Sequence, residues 1–342
     1  MENIQYIVIR KEYKLNEFRV PLVPSDCIIL INKGFIVYVE KSMIRCINNM
    51  EYMKVGCIMI DDYTMLQHNV DHMLIVGLKD LDIMNSIIFK YKHMYFSHTF
   101  KNQNNNNIIL SKFKSNGGII YDMEYFTDDM NNRLITFGYY AGIAGCYMGL
   151  FQYYMKQVNG NIMNITPIKN IKHLYYNLNF ILNLNEKPNI AIIGNGRCAK
   201  GCMFFLNSLN LEYTIFTRTS SKNELVNYDI IFNCIQINSY IEPFITMDTI
   251  KTFIKLSILV DISCDYNNIY NPLPIYTRLS TFENPIIHVN DMIDVIAIDN
   301  LPSLLPRDSS IDFSSNLVKI LTNMEGKYWS KSIKKYIECT SC

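Results

Sequence analysis

The chain has 342 residues, of which 49% are hydrophobic, and this is enough for two domains of ordinary size, each with its own core. Its 32 Lys and Arg residues nearly balance its 31 Asp and Glu residues, and no basic stripe interleaved with aromatic residues is present. The composition is therefore that of a globular protein and argues against a nucleic-acid partner.

The first half of the chain alternates predicted strands with predicted helices. Short apolar runs predict buried strands at residues 4–9, 35–40, 72–78 and 93–98. The segment VPSDCIILINKG (23–34) predicts a helix that begins near its Ser and Asp and stops at its Gly. The Asn-rich stretch 101–107 predicts a loop or a weak helix start. Strands alternating with helices favour parallel sheets.

Two of these strands end in polar residues that could carry chemistry. Lys79 and Asp80 follow the strand at 72–78, and His98, Lys101 and Gln103 close or follow the strand at 93–98. Ligands in open α/β sheets collect at the carboxyl ends of strands, where a desolvated Lys and a His form a plausible general acid/base pair. Lys79 and His98 are therefore the candidate catalytic pair. The alternative is a solvated lysine and a structural histidine.

Residues 137–155 (FGYYAGIAGCYMGLFQYYM) form an uncharged segment about as long as a bilayer-spanning helix. Its glycines, at positions 138, 142, 145 and 149, leave a smooth stripe that lets another backbone approach closely, a pattern that also occurs in membrane dimers. No second apolar segment and no flanking Lys/Arg asymmetry accompany it. We therefore expect a buried helix between domains, with a membrane span as the alternative.

The second half repeats the alternation, with strands predicted at residues 189–194, 213–217, 229–235 and 257–263. Directly after the first of these, Gly194, Gly196 and Ala199 fit the pattern G-x-G-x-x-G/A and precede a predicted helix at 199–209. The first glycine permits a tight turn, and the second lets the backbone approach a pyrophosphate at the helix N-terminus. This predicts a dinucleotide site. A tight strand–helix turn without a ligand is the alternative.

The residues after the next strand depart from the dinucleotide pattern. An acid expected about twenty residues after the glycines would bind the ribose hydroxyls of NAD. Here Thr217, Arg218, Thr219 and Ser220 occupy that place. An Arg among hydroxyls suits a 2′-phosphate, so these residues by themselves favour NADP. The alternative is a solvated basic turn.

The chain resembles the lysine-forming saccharopine dehydrogenases, within the broader alanine dehydrogenase-like group. The resemblance rests on the stretches RKEYKLNEFRVPLVP, GFIVYVEKS, VGLKD, FSHTFKNQ, YDMEYF, RLITFGYYAGIAG, IIGNGRC, IFNCI, VDISCDYNNIYNPLPIY and IDNLPSLLPRDSS. It implies an α/β fold of two Rossmann-like, doubly wound parallel-sheet domains with a cleft between them. Residues 1–137 and 302–342 would form the substrate-side domain, and residues 138–301 the dinucleotide-binding domain.

The resemblance also implies an activity and a set of site residues. The activity is the reversible NAD-dependent oxidative deamination of saccharopine to L-lysine and 2-oxoglutarate, and the catalytic pair again falls on Lys79 and His98. The implied substrate-binding residues are Arg19, Asp80, Lys101, Gln103, Glu124, Arg133, Phe137, Ser263, Cys264 and Asp265. The implied cofactor-binding residues are Gly196, Arg197, Ile262, Ile298, Asp299, Asn300 and Leu301, beside the Gly194, Ala199 and Arg218 of the sequence pattern.

Several departures from the family lie on the cofactor side. The turn has one residue fewer before G-R-C, Asn132 stands where the family has an arginine, and Gln236 stands where it has an aromatic residue. The family's cysteine pair matches Cys198 and Cys234, a possible redox pair, and a helix N-terminus would lower the pKa of Cys198. The alternative is two small buried residues. We expect NAD as the cofactor, with NADP possible.

Two alternatives to this activity stay open. A catalytically silent relative would only bind nucleotide, and another dehydrogenase of this fold would act on a different amino-acid-derived secondary amine. We expect no secretory leader, because the first residues lack a positively charged start followed by an apolar core. The ten Cys residues lack the spacing of a zinc site or a disulfide framework. We therefore expect a cytoplasmic protein with no metal. We also expect a monomer with a small-molecule amino-acid substrate and no membrane partner.

Overall fold

The structure is a computed structural model that describes residues 4–79, 81–100, 106–182, 186–237, 239–255 and 257–341. The chain divides into two compact units, the first made of residues 1–136 with 306–342 and the second of residues 137–305. The second unit ends at residue 305, four residues beyond the end that the sequence predicted, at residue 301. The reason is that a 3-10 helix at Leu301–Leu304 belongs to the core of the second unit, where Leu301, Leu304 and Leu305 are buried.

The described residues contain twelve strands. In the first unit they are β1 (Tyr6–Ile9), β2 (Ile36–Glu40), β3 (Ile58–Ile60), β4 (Met73–Val76), β5 (Lys92–Tyr95) and β6 (Ile119–Asp122). In the second unit they are β7 (Ile190–Ile193), β8 (Thr214–Phe216), β9 (Ile230–Asn233), β10 (Ile258–Asp261), β11 (Ile287–His288) and β12 (Asp294–Ile296).

The α-helices are α1 (Pro24–Asn32), α2 (Asn49–Met53), α3 (Asn106–Asn116), α4 (Gly138–Gln157), α5 (Ile171–Leu182), α6 (Arg197–Ser208), α7 (Pro306–Leu321) and α8 (Lys327–Thr340). Short 3-10 helices lie at Tyr63–His72, Ser86–Lys90, Met123–Tyr125, Lys222–Asn227, Thr249–Thr252 and Leu301–Leu304. α1 begins with Pro24 at its first position and ends before Gly34, whose φ of +92° favours glycine, so its predicted stop is confirmed.

The first unit holds a fully parallel sheet in the order β3-β2-β1-β4-β5-β6. The chain builds outward from β1 to β3 and then returns to the other side of β1 with β4, so the strand order reverses between β1 and β4. Such a reversal opens a crevice at the carboxyl ends of the two strands, which is where ligands bind in sheets of this type.

The C-terminal tail packs on the first unit. α7 lies beside α1, where the Ser310 hydroxyl accepts the Val20 N–H and the Ser314 hydroxyl accepts the Val23 N–H, both at 2.9 Å. From α8, Trp329 packs edge-on against Phe126, with ring centroids 4.9 Å apart. The predicted return of the tail to the first half is therefore observed.

The second unit holds a sheet in the order β11-β12-β10-β9-β7-β8, whose order reverses between β7 and β9. The predicted doubly wound parallel-sheet fold is confirmed, since the described strand pairs are parallel except at one edge, where β11 runs antiparallel to β12. The two strands are joined by a tight turn in which the Val289 N–H donates to the Ile293 carbonyl, and such a short hairpin connection can only join antiparallel strands.

The glycines of α4 contact neighbours inside the second unit. A Cβ added at Gly142 would meet the Cys198 carbonyl oxygen at 2.0 Å, and one at Gly149 would meet Phe232 and Val260 at 2.7 Å. The stripe therefore lets α4 approach both the backbone of α6 and the sheet. None of the described helices is long and apolar enough to cross a membrane.

Candidate active site

Lys79 lies at the point where the strand order of the first sheet reverses. It follows β4 after Gly77 and Leu78, and its residue is half-buried. Its backbone is held on both sides, because its N–H donates to Glu12 Oε2 at 2.9 Å and its carbonyl accepts from the Arg10 guanidinium. The predicted location of Lys79 at a strand end is thus observed.

His98, Glu124 and Arg133 form one cluster. His98 follows β5 with a φ of +53°, and Glu124 follows β6 in a short 3-10 helix. The Glu124 carboxylate lies 3.5 Å from His98 Nδ1 and 2.9 Å from an Arg133 terminal nitrogen, and its side chain is 8% exposed. A buried carboxylate between an imidazole and a guanidinium orients both groups. The structure thus brings together three of the predicted residues.

A buried carboxylate lies beneath this cluster. Asp122, the last residue of β6, accepts the Ser97 hydroxyl at 2.8 Å and the Glu124 N–H at 2.9 Å. Ser97 precedes His98, so Asp122 ties together the two loops that carry His98 and Glu124. Burial raises the pKa of Asp122 to about 6, although these hydrogen bonds oppose the shift.

Arg19 is buried against Glu17 in the same unit. Its Nε donates to Glu17 Oε1 at 2.7 Å, and a terminal nitrogen contacts Glu17 Oε2, so one edge of the guanidinium is occupied by this carboxylate. Three other predicted residues, Asp80, Lys101 and Gln103, lie outside the described part of the chain.

In the second unit the glycine turn joins β7 to α6 where the strand order reverses. Gly194 has a φ of +110°, and a Cβ there would meet Ile235 at 2.6 Å, so this position requires glycine. Gly196 is the N-cap of α6 and a Cβ there would meet nothing within 4 Å, while Ala199 is fully buried. The helix N-terminus therefore presents N–H groups beside open space, which is what a pyrophosphate needs.

The loop after β10 is held by one buried carboxylate. Asp261 Oδ1 accepts from Asn233 Nδ2, from the backbone of Ser263 and from the Ser263 hydroxyl, at 2.9, 3.0 and 2.7 Å. The Tyr276 hydroxyl donates to Asp261 Oδ2 at 2.5 Å. This anchor fixes the loop that contains the predicted residues Ile262, Ser263, Cys264 and Asp265. Cys264 there has a φ of +56°.

The predicted cofactor residues after β12 differ in what they can offer. The side chains of Ile298 and Leu301 are buried in the core, so only their backbone atoms could face a ligand. Asp299 is exposed, and Asn300 caps the 3-10 helix at Leu301–Leu304. Phe137, predicted to bind substrate, is the N-cap of α4.

Arg218 is exposed just beyond β8, within a turn built by hydroxyl groups. The Thr217 N–H donates to Ser220 Oγ at 2.9 Å, and the Thr217 and Thr219 hydroxyls lie 3.1 Å apart. Among the described residues, none forms an ion pair or a hydrogen bond with the Arg218 guanidinium. Asn132, by contrast, is engaged in a turn, where its side chain donates to Asp128 at 2.9 Å.

The predicted cysteine pair is part of a trio of free thiols. Cys202 Sγ lies 3.7 Å from Cys234 Sγ, and Cys202 also donates to the Gly142 carbonyl. Hydrogen bonds from Cys202 and Cys234 lower the pKa of Cys198 to about 5, and burial raises the pKa of both partners. Sequence reasoning missed Cys202, although its spacing of four from Cys198 places both on one helix face.

Sequence reasoning also missed the buried charged groups that support the site. Arg10 and Glu12 follow β1, Asp122 ends β6 and Asp261 ends β10, so all four stand at the carboxyl ends of strands. Their positions at or shortly after the ends of apolar runs could have indicated them, because a charged residue placed there is either solvated or buried with partners.

Comparisons with known proteins agree with this arrangement. The family model of the alanine dehydrogenase/PNT N-terminal domain matches residues 8–144, and that of the C-terminal domain matches residues 198–339. A saccharopine dehydrogenase [NAD(+), L-lysine-forming] of Candida glabrata is 33% identical over 94% of this chain and 92% of its own length. Its counterpart in Schizosaccharomyces pombe is 30% identical over 97% of each chain.

Solved structures show the same fold. An L-alanine dehydrogenase superposes with a TM-score of 0.73 at 12% identity, covering 96% of this chain and 94% of its own. A transhydrogenase from Sinorhizobium meliloti gives a TM-score of 0.65 at 13% identity, covering 98% of this chain and 96% of its own.

Proposed function

The chain belongs to the lysine-forming saccharopine dehydrogenases of the alanine dehydrogenase/PNT family, and from this premise we propose that it oxidises saccharopine with NAD, giving L-lysine and 2-oxoglutarate. The observation that carries the proposal is the set of charged groups at the strand ends of the first unit, Lys79 and the cluster of His98, Glu124 and Arg133. The reaction needs a base, a proton carrier and a carboxylate partner, and these groups supply them.

The substrate chemistry divides into two parts. In the first, Lys79 takes the proton from the secondary amine, and the carbon that will become the keto carbon of 2-oxoglutarate loses a hydride, which leaves an imine. In the second, His98 activates a water molecule that adds to this carbon, and the carbinolamine then collapses to release lysine. Arg133, beside Glu124, holds a carboxylate of the substrate in line with these groups.

The second unit fits the dinucleotide. NAD would accept the hydride when bound. Gly194 permits the turn, the open space at Gly196 accommodates a close pyrophosphate, and the N-terminus of α6 supplies N–H groups to it. We assign cofactor contacts to this turn with Arg197, and to the loops that contain Ile262 and residues 298–301. Substrate contacts from this unit are assigned to Phe137 and residues 263–265.

NAD is the cofactor we propose, with NADP tolerated because of Arg218. The Arg218 guanidinium is exposed among the hydroxyls of Thr217, Thr219 and Ser220, a set of donors that suits a 2′-phosphate. One charge-assisted contact of this kind gives about tenfold to a hundredfold in affinity. In calorimetric titrations, Arg218→Asp should abolish NADP binding and preserve NAD binding. Absence of NADP binding to the unaltered protein would identify Arg218 as a solvated turn residue.

We also propose that the protein works in the cytoplasm as a monomer. All nine Cys residues in the described part of the chain are free thiols, as is usual in a reducing compartment. Sedimentation over a range of protein concentrations tests the monomer.

The experiment that tests the activity measures absorbance of the reduced nicotinamide with saccharopine, alanine and glutamate as substrates. Saccharopine should give the highest kcat/KM, because it carries both the secondary amine that the reaction requires and a carboxylate for Arg133. Preference for alanine or glutamate would assign the protein to another amino-acid substrate. No turnover with any of them, together with intact NAD binding, would indicate a silent relative.

A further inference from the structure

Arg10 and Glu12 form a buried pair directly after β1, beside the loop that carries Lys79. Their side chains are 1% and 4% exposed, and an Arg10 terminal nitrogen lies 3.3 Å from Glu12 Oε2. Burying an ion pair is costly unless its remaining donors and acceptors are used. Here the backbone of the neighbouring loop uses them.

The Glu12 carboxylate accepts two consecutive N–H groups, from Leu78 at 2.7 Å and from Lys79 at 2.9 Å. Arg10 completes the arrangement from the other side, since its guanidinium donates to the Lys79 carbonyl. Both amide planes around Lys79 are therefore held by one ion pair, and so is the direction in which the Lys79 side chain leaves the backbone.

Gly77 belongs to the same arrangement. A Cβ added there would meet Arg10 Nε at 2.2 Å and Cζ at 2.4 Å, so the guanidinium lies directly against the Gly77 backbone. Within the described part of the chain, the buried Arg10 Nε has no hydrogen-bond partner. The close contact between the guanidinium and the Lys79 loop therefore leaves one Arg10 N–H group without an acceptor.

We propose that Arg10 and Glu12 are positioning residues for Lys79, which set both the placement of its amine and the charge that it experiences. Neither residue takes part in the chemistry itself. The inference rests on the role assigned to Lys79 under the proposed function, although the contacts that support it are independent of any substrate.

Arg10 and Glu12 carry opposite charges, so removing one or the other should shift the pKa of the Lys79 amine in opposite directions. The charged groups that act on Glu12 are Arg10 and Glu17, and burial raises the pKa of Glu12 against the pull of Arg10. Glu12→Gln removes a negative charge near Lys79, and Arg10→Gln removes a positive one. The first change should make protonation of the Lys79 amine harder, and the second should make it easier.

The matched control is Glu40, another buried carboxylate at a strand end of the same sheet. It accepts the backbone N–H groups of Lys11 and Tyr63, at 2.9 and 3.0 Å, and both of these donors lie outside the Lys79 loop. Glu40→Gln therefore removes a comparable charge and comparable hydrogen bonds. A general loss of stability would affect all three variants alike.

The experiment has two readouts. The first is the pH profile of kcat/KM for saccharopine. Glu12→Gln and Arg10→Gln should each lose about tenfold in kcat with cofactor affinity unchanged. The acidic limb should move by about half to one pH unit, downward in Glu12→Gln and upward in Arg10→Gln, and should stay in place in Glu40→Gln. Gly77→Ala, which displaces Arg10, should reproduce the loss of kcat.

The second readout is competitive acetylation of Lys79 across pH, quantified by mass spectrometry. Its midpoint should move in the same two directions, whether or not the protein turns over saccharopine. The proposal is overturned if the pH midpoint of Lys79 acetylation is the same in Glu12→Gln and Arg10→Gln. It is also overturned if Glu40→Gln shifts this midpoint as much as those two variants do. Absence of turnover in the unaltered protein with the labelling shifts present would instead reject the proposed function and leave the positioning role intact.

Discussion

Each of the two units is built on a six-stranded sheet, yet the carboxyl ends of their strands carry different chemistry. In the first unit, charged side chains come after four adjacent strands and are paired with one another, as in the Glu124 carboxylate between His98 and Arg133. In the second unit, the corresponding edge offers a glycine turn and a helix N-terminus, with one buried carboxylate, Asp261, anchoring a loop. One topology can therefore present either side-chain charges or backbone dipoles, depending on the loop residues at each strand end.

Because the two units carry different chemistry, we expect that substitutions in the first unit reduce catalysis without weakening cofactor binding. Lys79→Met and His98→Gln should each lower kcat by about a hundredfold to ten-thousandfold, the usual contribution of a general acid or base. Dissociation constants for NAD, measured by calorimetry, should change little. Full activity in either variant would remove that residue from the catalytic pair.

The reverse separation is expected at the glycine turn. Gly194→Ala forces a Cβ against Ile235 at 2.6 Å in a backbone conformation that only glycine adopts readily. Affinity for NAD should fall by at least tenfold, while the midpoint of Lys79 acetylation stays where it is. Gly196→Ala tests the same turn without strain in the protein, because a Cβ there meets nothing in the protein and would meet only a bound pyrophosphate, so NAD affinity should fall in this variant as well. Unchanged NAD affinity in both variants would contradict the assignment of the turn.

Variants of Arg133 test whether the first unit binds the substrate and not the cofactor. Arg133→Ala removes a guanidinium that lies 2.9 Å from Glu124 and should raise the KM for saccharopine by about tenfold, with a smaller change in the KM for NAD. Arg133→Lys keeps the charge but loses the planar pair of donors, so it should recover only part of the loss. A larger effect on NAD than on saccharopine would place Arg133 on the cofactor side instead.

The smallest effect concerns the stability of the first unit. The pKa of Asp122 is raised to about 6 from an ordinary value of 3.8, so the folded protein binds this proton more tightly than the unfolded chain does. Its contribution to the free energy of unfolding is therefore full at low pH and falls by roughly 2 kcal/mol as pH rises from about 4 to 6. Denaturant titrations should show this pH-dependent difference between the unaltered protein and Asp122→Asn. A difference independent of pH would contradict it.

Much of this arrangement was predictable from local sequence. Apolar runs located eight of the twelve described strands, and the glycine spacing located the turn at Gly194 and Gly196. Lys79 and His98 were found because strand ends can be read directly from such runs. The strands β3, β6, β11 and β12 were not predicted. Three of them, β3, β11 and β12, have only two or three residues, which give little periodicity.

The features that were not predictable depend on partners distant in the chain. Glu12 lies 66 positions from Leu78, whose N–H it accepts, and no local pattern indicates such a pairing. The glycines of α4 indicated a close contact but not its partner, which is α6 within the same unit. Likewise, the contact between Cys202 and Cys234 exists only because α6 packs beside the end of β9.

The most direct test of the proposed activity is a mass balance of one reaction. Saccharopine is incubated with a limiting amount of NAD, and the amounts of reduced nicotinamide, lysine and 2-oxoglutarate are measured after the reaction is quenched. The three products should appear in equal amounts with the unaltered protein, and none should appear above background over the same interval with Lys79→Met. Reduced nicotinamide without lysine, or no product at all from a protein that binds NAD, would contradict the proposed activity.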